Sequence, residues 1–256
     1  MMPGSRLLRP VLSAPQNAPH LLLCPFAGAS SSAFRSWRSL AGNRFGLSLV
    51  VYPGREHRMR EPCAEQTGEL AAPLAAEIAT LAEAQRRTLL LAGHSMGAQV
   101  AFETCLLLER AHCPPAGLVL SGCHAPHLRS RRRLSALGDE AFVASLSEIG
   151  GMSPELLAEP SLLALFMPLL RADFRATEGY RREQHVGHPR VRTPTLLLHG
   201  SDDREASRDE VEAWDVWLHD TGPPVTLAGD HFYLTTQPHA FAEVVLRHFE
   251  PILASR

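Results

Sequence analysis

The chain has 256 residues, of which 45% are hydrophobic, and its net charge is −2. This length and composition predict one globular domain over residues 1–256 and argue against a disordered chain and against a nucleic-acid partner. No apolar stretch reaches the roughly 18 residues that span a bilayer, and no secretory signal core follows the first residues. We therefore predict a cytoplasmic location with no membrane segment.

The first eighteen residues are polar and contain prolines, so they are predicted to form a loose lead-in. Short apolar runs of buried-strand length then alternate with segments of helical periodicity. Strands are predicted at His20–Cys24, Gly46–Tyr52, Thr88–Ala92 and Gly117–Ser121, and helices at Ala33–Leu40, Leu70–Ala84 and Ala98–Arg110.

The pattern changes between about residues 125 and 190, where amphipathic segments replace strands. The expected helical segments are Asp139–Ile149, Pro154–Ala158 and Ser161–Arg182. Strands return at Thr195–His199 and Val225–Leu227, and Pro238–Leu253 forms a closing helix. The alternation predicts a mostly parallel sheet with helices on both faces, into which a helical lid is inserted at about 125–190.

A G-x-S-x-G motif, Gly93-His94-Ser95-Met96-Gly97, lies between a predicted strand and a predicted helix. In this context the motif forms the nucleophile elbow of α/β-hydrolases, a sharp turn that exposes the serine at the sheet edge. The start of the helix adds a positive dipole where negative charge develops. The chain is thus predicted to have the α/β-hydrolase fold with Ser95 as the nucleophile.

A serine nucleophile needs a base and a group that orients the base, and in this fold the order along the chain is Ser, acid, His. Asp202 and Asp203 follow the strand at Thr195–His199, and Asp203 is preferred because Asp202 suits the turn. His231 follows the last strand and is the predicted general base. Asp230 beside it either faces solvent or raises the pKa of the imidazole, which would leave more of it protonated and slow it as a base at neutral pH.

The tetrahedral intermediate needs two backbone N–H donors for its oxyanion. Met96, directly after the nucleophile, supplies one. The second is expected from the loop after the first predicted strand, with Phe26 as first choice and Ala27 as second.

No metal or cofactor is predicted. The five cysteines are odd in number and scattered, which favours reduced thiols. The chain contains no H-E-x-x-H motif, and the nearest ligand cluster, Cys123, His124 and His127, lacks the ligand count of a zinc site.

Several motifs in order resemble the type II thioesterases associated with nonribosomal peptide and polyketide synthases. They lie at Cys24–Gly28 with Phe34 and Trp37, Tyr52–Arg58, Gly93–Gly97, Ala125–His127, Gly150–Gly151, Leu169–Phe174 and, less closely, Gly179–Tyr180. In some integrated thioesterase domains the acid follows the strand after the elbow, but Gly122, Cys123 and His124 follow Gly117–Ser121 here. This also favours Asp203.

The resemblance implies hydrolysis of acyl groups from the phosphopantetheine arm of an acyl or peptidyl carrier protein, which removes misprimed or stalled chains. A monomer is the default expectation. A carboxylesterase or lipase shares the same triad, and a non-catalytic carrier-binding accessory protein is the third alternative. Arg129, Arg131, Arg132 and Arg133 form either a docking site for an acidic carrier or a solvated loop.

Overall fold

The computed structural model describes residues 5–15, 17–40, 42, 44–152, 159–219 and 221–255. In these residues a seven-stranded sheet has the order β1-β3-β2-β4-β5-β6-β7. β1 is antiparallel to β3, and the other neighbouring strands are parallel. The strands are β1 Leu8–Leu12, β2 His20–Cys24, β3 Gly46–Val50, β4 Leu89–His94, β5 Gly117–Ser121, β6 Thr195–Gly200 and β7 Val225–Leu227.

The predicted loose lead-in was wrong, because part of it forms β1 at the edge of the sheet. Pro10 interrupts the strand pattern in the sequence, yet an edge strand tolerates a residue that cannot donate a backbone hydrogen bond. Only Leu12 of this strand is fully buried, so the apolar signal was weak.

Helices flank the sheet as predicted, with different boundaries. The α-helices are α1 Thr67–Ala79, α2 Glu83–Arg86, α3 Met96–Arg110, α4 Asp139–Ile149, α5 Pro160–Gly179, α6 Arg208–Glu212, α7 Tyr233–Thr236 and α8 Pro238–Ala254. Within the described ranges, 3-10 helices form at Ser31–Leu40, Glu56–Arg58 and Ala213–Trp217. The predicted segment Pro154–Ala158 lies outside the described residues. None of the described helices is long and apolar enough to cross a membrane.

The core has two layers because the central strands are buried on both faces. Along β4, Leu89 and Leu91 face the cluster that contains α1 and α3, whereas Leu90 and Ala92 face the cluster that contains α8. A strand with helices on both faces needs apolar residues at every position, which explains the uninterrupted leucine run.

The segment between β5 and β6, here called the insertion, carries α4 and α5 and has a small apolar cluster of its own. Arg171 joins its parts: Nη2 donates to Asp139 Oδ1 at 2.6 Å, and Nη1 donates to the Ser135 carbonyl at 3.0 Å. At its far end, Tyr180 Oη donates to Glu103 Oε1 on α3 at 2.7 Å. The insertion is thereby attached to the helix that follows Ser95.

Candidate active site

Ser95 lies between β4 and α3 with φ 54° and ψ −123°, a backbone conformation that L-residues rarely adopt. The chain turns so sharply here that no side chain fits at either glycine of the motif. A Cβ on Gly93 would lie 2.0 Å from the Gly97 carbonyl oxygen, and a Cβ on Gly97 would lie 2.0 Å from the Cys24 carbonyl oxygen. The two glycines of the motif are therefore a steric requirement of the turn.

Asp203 and His231 are in contact at the same sheet edge. Nδ1 of His231 lies 3.0 and 2.9 Å from the two Asp203 carboxylate oxygens, and both residues are buried. Asp202 is exposed and accepts a hydrogen bond from Ser201 Oγ at 2.7 Å. The carboxylate next to the imidazole is thus Asp203, the preferred candidate.

The Asp203 carboxylate is held ionised. Burial opposes ionisation, but the hydrogen bond from the His231 imidazole, its charge and the N–H groups of Ala206 and Glu205 outweigh it and lower the pKa of Asp203. An ionised carboxylate accepts the Nδ1–H of His231, so Nε2 carries the lone pair that a general base requires.

Ser95 and His231 line one cleft of about 90 Å³ between the sheet edge and the insertion. The insertion contributes Leu134, Ile149 and Phe174 to its wall. Among the described residues no hydrogen bond to the Ser95 hydroxyl forms. Such contacts are often long in a substrate-free site and tighten when substrate binds.

The two candidates for the second oxyanion donor differ in their surroundings. Ala27 lines the cleft with Ser95. The Phe26 side chain is buried and packs edge-to-face on Phe232, with ring centroids 5.1 Å apart. Met96 is the first residue of α3, where backbone N–H groups lack intrahelical partners.

Part of the cleft lining is polar. Gln99 lies one turn of α3 beyond Ser95, and its Nε2 donates to the Thr177 carbonyl at 3.4 Å. Its buried Oε1 has no hydrogen-bond partner among the described residues. Arg132, Glu178 and Glu205 also line this region, so the cleft is not a purely apolar acyl pocket.

Sequence reasoning missed a chain of buried hydrogen bonds next to His231. His94 Nε2 lies 2.7 Å from the His231 carbonyl oxygen, its Nδ1 lies 2.8 Å from Ser121 Oγ, and Ser121 Oγ lies 2.5 Å from Tyr233 Oη. Burial, and then His231, lowers the pKa of His94 to about 3, so its ring is neutral. Nε2 must therefore donate to the carbonyl, and the Ser121 hydroxyl must donate to Nδ1. Nothing in the sequence distinguished His94 from a variable motif position.

We expect Ser121→Ala to lower the free energy of unfolding by about 1–3 kcal/mol, because His94 Nδ1 and Tyr233 Oη would remain buried without this partner. Denaturant unfolding measures the effect. Ser39→Ala, which removes an exposed hydroxyl, is the control and should change stability by less than about 0.5 kcal/mol. Equal losses in the two variants would contradict the network.

The remaining candidates are accounted for by local contacts. Asp230 is exposed, and its Oδ1 accepts the Phe232 N–H at 2.9 Å. Within the basic run, Arg131 pairs with Glu210 at 2.8 Å, and Arg132 pairs with both Glu205 and Glu148 at 3.1 Å.

The cluster of Cys123, His124 and His127 is not arranged as a metal site. His127 Nδ1 accepts a hydrogen bond from Trp217 Nε1 at 2.9 Å. In the described part of the chain, no three His, Cys, Asp or Glu side chains are placed to hold a metal ion.

The profile of the thioesterase domain family matches residues 19–253 of the chain. The chain is 40% identical over 233 residues to the probable anguibactin biosynthesis thioesterase AngT of Vibrio anguillarum, covering 90% of this chain and 91% of that protein. It is 38% identical over 238 residues to thioesterase PikA5 of Streptomyces venezuelae, covering 92% of this chain and 82% of that protein.

Among solved structures, the fold is similar to YbtT, a type II thioesterase from the yersiniabactin NRPS/PKS biosynthetic pathway. The TM-score is 0.91 at 49% identity, with 96% of this chain and 99% of that chain covered. The chain therefore belongs to the thioesterase family, among the type II thioesterases of nonribosomal peptide and polyketide biosynthesis.

Proposed function

We propose that this thioesterase removes misprimed or stalled acyl groups from the phosphopantetheine arm of a carrier protein, through a Ser95–His231–Asp203 triad. The observation that supports the triad most directly is the contact of both Asp203 carboxylate oxygens with His231 Nδ1, at the sheet edge where Ser95 opens into the same cleft.

The reaction begins when Nε2 of His231 takes the proton of Ser95 Oγ as that oxygen attacks the thioester carbonyl carbon. The N–H groups of Met96 and Ala27 stabilise the oxyanion. Collapse of the intermediate breaks the C–S bond, and His231 returns the proton to the departing thiolate. Water then attacks the acyl-enzyme carbonyl carbon with His231 as base. Collapse of this second intermediate breaks the bond to Ser95 Oγ, which takes the proton back from His231 as the acid leaves.

Ala27 is chosen over Phe26 as the second donor because Ala27 lines the cleft. The insertion acts as a lid over this cleft, since its residues form one wall.

No cofactor takes part in the proposed reaction. We also infer a cytoplasmic monomer, and the five unpaired cysteines are consistent with a reducing compartment.

The carrier protein is proposed to dock on the insertion near Arg132, which lines the cleft. Arg129 and Arg133 are exposed beside it, whereas Arg131 and Arg132 are already paired with glutamates. An acidic carrier is complementary to the two exposed arginines, and such pairing acts mainly on the rate of association.

Parallel assays with one acyl group on a carrier protein, on coenzyme A and on p-nitrophenol test this function. We expect the highest kcat/KM on the carrier. The double variant Arg129→Glu with Arg133→Glu should lower kcat/KM several-fold on the carrier-bound substrate and leave kcat/KM on the p-nitrophenyl ester unchanged. A preference for simple esters would instead indicate a general carboxylesterase, and equal losses on all substrates would exclude docking at these arginines.

A further inference from the structure

The loop between β2 and the first 3-10 helix is held at several backbone groups. Tyr52 Oη donates to the Pro25 carbonyl at 3.1 Å, and the Ala29 N–H donates to the Phe26 carbonyl at 3.1 Å. Because a peptide unit is planar and trans, fixing the Phe26 carbonyl also fixes the direction of the Ala27 N–H, which points the opposite way. This is the N–H assigned above to the oxyanion.

Two further contacts to this loop come from a buried ion pair between α5 and the segment after β3. The Gly28 N–H donates to Asp173 Oδ2 at 2.7 Å, and Arg55 Nη1 donates to the Ala29 carbonyl at 3.1 Å. Arg55 Nη2 and Asp173 Oδ1 are 2.6 Å apart, with exposed side-chain fractions of 5% and 2%.

The helix that carries Asp173 also lies directly against the loop. Gly28 has φ +76°, and a Cβ there would lie 2.7 Å from Leu170 Cδ2, one turn before Asp173 on α5. The α5 helix is thus packed closely against this loop.

Stability alone does not explain a buried pair of this kind. Apolar side chains of similar volume often replace a buried ion pair without loss of stability, or with a gain. What apolar side chains cannot supply is an acceptor for the Gly28 N–H and a donor for the Ala29 carbonyl.

We infer that Asp173, held by Arg55, is a positioning residue for the oxyanion hole, so that α5 must be seated on the loop for the Ala27 N–H to face the reacting carbonyl. The role rests on the proposed function, since it requires Ser95 to form a tetrahedral intermediate in this cleft. The insertion then takes part in stabilising the transition state, besides covering the acyl group.

The test compares two inhibitors that carry the same acyl chain. Ser95 Oγ adds to the carbonyl carbon of a trifluoromethyl ketone, and the carbonyl oxygen becomes an oxyanion. A thioether analogue has no such carbonyl and binds without forming a covalent bond. In Asp173→Asn an NH2 group replaces one of the two oxygens that accept from Arg55 and Gly28, so a donor then faces a donor. We expect kcat and ketone affinity to fall about 10- to 100-fold. KM and thioether affinity should stay within about twofold, because binding of the ground state does not use the oxyanion hole.

Asp139→Asn is the matched control, since it breaks the Arg171 ion pair of the same insertion without touching the loop. It should leave both affinities unchanged. If Asp173→Asn fails to fold, the double variant Arg55→Met with Asp173→Leu decides: it leaves no buried charge unpaired and should still lose ketone affinity.

Equal weakening of ketone and thioether, or wild-type affinity for both, would overturn the positioning role. Failure of the proposed Ser95 chemistry has a different signature, because wild-type protein would then not react with a fluorophosphonate probe at Ser95; failure of the carrier specificity alone would appear in the substrate comparison above. If the wild-type protein is labelled and active but Asp173→Asn binds the ketone with normal affinity, only the inference about Asp173 is overturned.

Discussion

Ser95→Ala is expected to lower kcat on a carrier-bound acyl thioester by about 10⁴-fold or more, because no other group in the mechanism can form the acyl-enzyme. KM should change little, since the cleft walls remain. A fluorophosphonate probe should label wild-type protein and fail to label the variant. Rapid-quench measurements should show a burst of released thiol only where the serine is present.

Ser130→Ala is the matched control for this prediction, because Ser130 lines the same cleft and donates to the Arg132 carbonyl at 2.9 Å. It should keep labelling and most of the activity. Undiminished deacylation by Ser95→Ala would exclude the triad. A wild-type protein that binds carrier but neither hydrolyses nor labels would instead be a non-catalytic accessory protein.

Asp203→Asn is expected to lower kcat by about 10³- to 10⁴-fold with the fold retained. An amide at this position can donate to Nδ1 of His231, which moves the imidazole proton to Nε2 and removes the lone pair that faces Ser95. Asp202→Asn, next in sequence but exposed, is the control and should retain activity. Equal losses in both variants would argue against Asp203 as the orienting acid.

The pH dependence of stability gives a second measurement on Asp203. Its pKa is lower in the folded protein than its ordinary value of 3.8, so the ionised form favours folding. This contribution is fully present above the ordinary value and is lost as pH falls through the lower folded value. The difference in unfolding free energy between wild type and Asp203→Asn should therefore shrink in acid. A difference that stays constant to low pH would contradict the lowered pKa.

Residues with strong local constraints could be predicted from the sequence. The elbow was recognised because both glycines are needed for one turn, and the positions next to the strand ends selected Asp203 and His231. Asp203 could be preferred over Asp202 but not separated from it by spacing alone. The two differ in burial and in contact with the imidazole, and these depend on how the loops after β6 and β7 pack together.

Contacts between distant segments were not predictable in the same way. The sequence shows His94 only as the variable second position of the G-x-S-x-G motif, and its hydrogen bonds to Ser121 and to the His231 carbonyl are visible only in the structure. Arg55 and Asp173 belong to two separate family-like motifs, 118 positions apart, and only the structure shows that they contact each other beside the loop between β2 and the first 3-10 helix. β1 was missed because an edge strand with a proline and one buried leucine carries little periodic signal.

The fold class and the elbow could be derived from the sequence, because backbone sterics and the burial of leucine-rich strands act over a few neighbouring residues. The order Ser95, Asp203, His231 was inferred from the same strand ends and stays a prediction. Only the folded chain shows which carboxylate contacts His231, which residue of the loop after β2 lines the cleft, and which side chains hold that loop in place. Those outcomes depend on hydrogen bonds and close packing between segments far apart in the chain, and local sequence does not encode such distances.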